Sequence, residues 1–101
     1  MAATVLSIDT IVSDPQIRGG RPTIAGRRIT VSDLIARYVY HKMTPEEIAI
    51  QFALTLGQVH AALAYYYTHQ KEIDDEIRQD EEEAERLLAE LDRQGKLVRL
   101  E

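Results

Sequence analysis

Three histidines, seventeen carboxylates and a glycine pair flanked by arginines are the groups with which this chain could do chemistry. His69, Glu72 and Glu76 lie one helical turn apart, a spacing at which an imidazole and two carboxylates could share a metal ion. Three such residues on one exposed helix without a pocket are more often plain surface, so no metal and no cofactor is assigned. The segment at 17–22, IRGGRP, could cradle a phosphate through backbone N–H groups. It lacks the P-loop lysine and the strand–helix context, so a tight glycine turn is the larger part of its meaning. Arg18 and Arg21 stand beside that turn as possible phosphate contacts. No Ser-His-Asp set is visible, and with no cysteine there is no Cys-His couple, disulfide or thiolate site. The acidic run at 80–83 reads as a solvated helix face. The chain is therefore read as non-enzymatic.

Charge is distributed unevenly. The net charge is -5. From 15 to 43 there are six cations (Arg18, Arg21, Arg27, Arg28, Arg37 and Lys42) against one anion, Asp33, a net of +5. From 71 to 101 six cations meet twelve carboxylates, a net of -6. A basic front and an acidic tail suit a nucleic-acid face joined to a separate protein-binding segment.

These groups must be positioned by a small domain. With 101 residues the chain fits one domain with an appended helix, and its core is small enough that a second chain would help stabilise it. No apolar run is long enough to span a bilayer, and the N-terminal stretch lacks a signal peptide's basic start and apolar block. A cytoplasmic location without membrane contact is expected.

The organising stretch is 44–67, TPEEIAIQFALTLGQVHAALAYYY. Thr44 caps a helix with Pro45 at its first position, and Glu47 completes a capping box. Ile48, Phe52 and Leu54 are its anchors. Thr55 caps the next helix, whose stripe is Val59, Ala62, Leu63 and Tyr66. Small Ala49, a short turn and Val59 ten residues on fit two steeply crossing helices, the helix-turn-helix pattern. Before it, Ile8, Ile11 and Val12 read as a short strand. Residues 22–24 and 28–30 read as a small β-hairpin with Ile24 and Ile29 inward and the arginines in water. A first helix is expected over 32–41. A long charged helix follows from about 70 to 93, with Gly95 as its stop, and KLVRLE at 96–101 extends beyond. The fold class is mainly α: a three-helix, hairpin-flanked helix-turn-helix core (8–70), then an extended acidic helix and tail (71–101).

For nucleic acid, the outward residues of the second bihelical element are Thr55, Gln58, His60, Ala61 and Ala64. None is Arg or Lys. Gln58 could read adenine and Thr55 a phosphate or thymine methyl, with phosphate affinity supplied by Arg18, Arg21, Arg27 and Arg28 upstream. Tyr65, Tyr66 and Tyr67 point three ways around a helix. Tyr66 suits the core, while Tyr65 and Tyr67 are candidates for a homodimer contact. Ile77, Leu87, Leu88, Leu91 and Leu97 are candidates for a partner-binding surface.

Asp14-Pro15, Gly20-Arg21-Pro22, Ile24-x-Gly26-x-Arg28-Ile29, Glu46-Glu47-Ile48 and Val59 with Ala62 before Tyr65 carry a resemblance. Over roughly 8–77 the chain resembles the domain-of-unknown-function 433 family of small bacterial and archaeal proteins. That family is similar to VapB-type antitoxins. The resemblance implies a winged helix-turn-helix that binds its own promoter as double-stranded DNA and neutralises a neighbouring PIN-like nuclease toxin. Lys42 stands where the family usually has glycine, and Ala53 replaces a common proline, which would let the first helix of the bihelical unit run slightly longer. The expectation is an antitoxin of a type II toxin–antitoxin pair. The alternative is a structural oligomerisation module that does not bind DNA.

Overall fold

The computed structural model describes residues 2–4, 6 and 8–95. Its elements are β1 (Ile11–Val12), a single 3-10 turn (Arg18–Gly20), β2 (Thr23–Ile24), α1 (Val31–Val39), α2 (Pro45–Phe52), α3 (Leu56–Thr68) and α4 (Gln70–Arg93). The architecture is mainly helical with one small antiparallel sheet.

Each of the first three helices starts on a threonine capping box: Thr30 with Asp33, Thr44 with Glu47 and Thr55 with Gln58. Each box satisfies N–H groups that have no partner within the helix. The expected hairpin of 22–24 with 28–30 is formed, and Thr30 ends it. Once its hydroxyl accepts from Asp33 N–H (3.0 Å), the chain turns into α1 at Val31 and the second strand has no room to extend. The hairpin is held by one bridge between Thr23 and Thr30 and three bonds, Ile24 N–H to Ile29 O (3.0 Å), Arg27 N–H to Ile24 O (2.9 Å) and Val31 N–H to Pro22 O (2.9 Å). β2 also pairs with β1, in the register Ile11 to Ile24 and Val12 to Thr23.

α2 and α3 are bent 117° apart across the connector 53–55. α2 does not run on past Phe52. Ala53 adopts a left-handed conformation (φ 54, ψ 49), its N–H bonding back to Ala49 and Ile50 carbonyls, and this closes the helix. The Arg27 guanidinium covers the freed carbonyls of Phe52 (2.9 Å) and Ala53 (3.1 Å).

The core joins β2, α1, α2, α3 and the first turns of α4. Ile24, Val31, Leu34, Ile35, Ile48, Val59, Ala62 and Ile73 are almost fully enclosed, with Ala49, Leu54, Leu63, Tyr66 and Ile77 around them. The buried hydroxyls are paired, Thr30 with Ser32 at 2.9 Å and Thr23 to Val12 O at 3.3 Å. Two expectations are corrected here. Ile77 is 4 % exposed and belongs to this chain's own core, so it offers nothing to a partner. A domain boundary at 70 would cut through that core, because Ile73 and Ile77 are the residues that seal it beside α1. The reason is geometric: His69 alone separates α3 from α4, so α4 must fold back on the body before it can leave it. That elbow is fixed by Tyr65 stacked on His69 (centroids 3.9 Å apart) and by Tyr66 O–H donating to Asp74 (2.9 Å). Beyond Asp80 the helix projects, and the molecule measures 69 × 28 × 23 Å.

No single helix among the described residues is long and apolar enough to cross a membrane.

Candidate nucleic-acid and partner interfaces

The arginines singled out in the sequence are mostly engaged within the chain. Arg18 donates to Asp33 Oδ2 (3.1 Å) and to Arg28 O (3.1 Å). Arg21 donates to Asp80 (2.9 Å), 59 residues away, and lies 3.9 Å from Glu76. Asp80 pushes the Arg21 pKa up from its ordinary value, so this guanidinium stays charged. Burial pushes the Glu76 carboxyl up, against the opposing pull of Arg21. Arg27 caps α2 as described. Arg28 is exposed. The glycines at 19 and 20 both take positive φ (67 and 82), the conformation that the tight turn between Arg18 and Arg21 requires.

On α3, Thr55 and Gln58 are occupied by their own capping box: Gln58 N–H to Thr55 Oγ1 at 3.1 Å and Thr55 N–H to Gln58 Oε1 at 2.8 Å. His60 and Ala64 are exposed and Ala61 is half-buried. Tyr66 is in the core, as its spacing predicts, whereas Tyr65 is half-buried against His69 and Tyr67 is 60 % exposed. His69 and Glu76 part company. The imidazole stacks on Tyr65, with Nδ1 beside the Thr68 hydroxyl (2.9 Å), while Glu76 faces Arg21.

On α4, Leu87 and Leu88 are 60 % and 51 % exposed, and Leu91 is half-buried. Leu97 lies outside the described residues. The helix carries eleven carboxylates and four cations, a net of -7.

Sequence reading assigned Arg37 and His41 no site. In the fold they border a groove of about 500 Å³ between α1 and α4, floored by Ala36, Phe52, Ile77 and Ala84. Arg37 sits over the Phe52 ring (5.9 Å), and its buried Nε has no hydrogen-bond partner. Arg37 is in the last turn of α1 and His41 lies just past its end, a position that only the packing of the helices brings to the groove.

A match to the family described as "Protein of unknown function (DUF433)" covers residues 11–66. The chain belongs to the DUF433 family. The DUF433 segment starts with β1 and ends at Tyr66, so α4, including its core residues Ile73 and Ile77, lies beyond the matched stretch. No curated protein and no solved structure matches the chain.

Proposed function

We propose that this DUF433 protein is an antitoxin-type regulator: a helix-turn-helix body that associates with the DNA upstream of its own reading frame, and an acidic helix that captures a basic nuclease partner of the PIN-like kind. The observation that carries the reading is the division of α4. Its first turns complete the core through Ile73 and Ile77, while its distal half leaves the body with Leu87 and Leu88 uncovered on a strongly acidic rod. A helix that is polar nearly all round, with a thin apolar stripe, gains stability when a partner covers that stripe. A bend of 117°, a three-residue connector, Ala49 at the crossing and Val59 buried behind it agree with a helix-turn-helix unit. Acidic side chains on α4 suit the basic, RNA-binding cleft of a nuclease.

A second reading, a protein-interaction module without DNA binding, is favoured by one specific observation. Arg18, Arg21 and Arg27 are bonded within the chain, and the outward face of α3 has no Lys or Arg. The two readings part in one experiment. Labelled DNA from upstream of the reading frame is titrated with the protein across a range of salt, with and without the protein encoded next to it. The regulator binds with an affinity that falls steeply with salt, and Arg28→Ala makes the dependence shallower. No binding at low salt in either arm leaves the interaction-module reading. The nuclease half of the proposal is tested by ribonuclease assay of the neighbouring protein, which the full chain should suppress.

A further inference from the structure

The distal half of α4 carries an apolar seam with unusual edges. Ile73, Ile77, Asp80, Ala84, Leu87 and Leu91 follow one another at alternating steps of four and three, the spacing of a helix–helix seam. The core takes Ile73 and Ile77, and Arg21 takes Asp80. Ala84, Leu87 and Leu88 remain exposed. On one edge of the seam stand Glu76, Glu83 and Glu90, and on the other Asp74 and Glu81, followed by Leu88. All four cations of the helix, Lys71, Arg78, Arg86 and Arg93, fall on its outer face. Arg78 pairs there with Asp75 and Glu82, and Arg93 reaches back to Glu90. Among the described residues Glu81 and Glu83 have no cationic partner.

The edges of such a seam decide which helix can pair with it, because they face the edges of the partner. Two antiparallel copies of the distal half would oppose the edge of Glu83 and Glu90 to the same edge of the other copy, glutamates against glutamates. We propose that this seam docks an apolar helix of a different protein, one edged by lysine or arginine, and that its acidic edges exclude a second copy of itself. The inference deepens the reading that α4 serves a protein partner, and rests on it: the leucines give affinity and the glutamates give selection.

The test uses the full chain and two synthetic helical peptides of three heptads with leucine along the seam. One carries lysine and the other glutamate at every edge position. The lysine peptide binds, the glutamate peptide binds at least about tenfold more weakly, and the difference shrinks in high salt. Leu87→Ser with Leu88→Ser, which leaves every charge in place, weakens the lysine peptide by roughly tenfold or more. Glu81→Lys with Glu83→Lys reverses the preference. Both changes are at exposed positions, and an unchanged thermal midpoint verifies the fold. The proposal is overturned if neither peptide binds, if the serine variant holds the lysine peptide as tightly as the parent does, or if sedimentation shows a dimer that the serine change dissolves. Should the neighbouring nuclease bind the chain while the peptides are not told apart, the partner reading stands and the edge rule falls.

Discussion

Arg18, Lys42 and Ala53 hold backbone positions that glycine takes more easily, with φ of 50, 57 and 54. Ala53 ends α2 and Lys42 lies in the loop after α1, and a Cβ in this conformation costs about 1–2 kcal/mol. Glycine would relieve that strain while gaining freedom in the unfolded chain. Lys42→Gly or Ala53→Gly is therefore expected to stabilise by about 0.5–1 kcal/mol, seen as a rise of about 2–8 °C in thermal midpoint. Glu76 makes a pH prediction at the same scale. Its carboxyl is raised by burial, so the folded chain keeps a proton that the unfolded chain has already released. Its contribution is fully present below the unfolded pKa and is lost as pH rises through the higher folded one. Glu76→Gln should accordingly flatten that part of the stability profile just above the ordinary glutamate range, as read by denaturation at a series of pH values. The positive charge of Arg21 opposes the effect at Glu76 without reversing it.

At the level of elements, what the sequence made legible was whatever rests on local chemistry. The caps at Thr44 and Thr55, the stripe through Val59 to Tyr66 and the span of α4 all follow from residue type and spacing. The hairpin was legible as well, but the shortness of its second arm was not, because Thr30 has two uses, strand residue and N-cap, and only packing shows that the cap prevails. Arg27 was misread for a similar reason: its role as cover for the α2 carbonyls depends on a contact 25 residues away. Thr55→Ala should cost about 1 kcal/mol through loss of the capping box. Ile73→Ala should cost about 2–4 kcal/mol, although it lies on the helix read as an appendage, since it leaves a cavity beside α1 and α3. Chemical denaturation of the two variants gives both numbers.

For the whole molecule, the bipolar charge pattern pointed to two faces, and the fold joins them. The basic turn reaches the acidic helix through Arg21, Glu76 and Asp80, which the charge count read as belonging to separate regions. Of the candidate site, the exposed leucines on α4 were legible from the stripe, whereas the internal engagement of Arg18, Arg21 and Arg27 was not. No local pattern tells a free arginine from one with a partner far along the chain. A further consequence concerns truncation. A chain ending at residue 69 loses Ile73 and Ile77 and should not fold stably, whereas one ending at residue 81 keeps the whole core and Asp80.

The central claim is that α4 up to Asp80 builds the fold and the rest of it serves a partner. Calorimetric titration of the proposed nuclease partner, the protein encoded next to this chain, with the full chain and with the chain ending at residue 81 tests this directly. Both chains should keep the same folded core, with α4 shorter in the truncated one, and only the full one should bind. Equal binding by the shortened chain, or no binding by the full one, would contradict it.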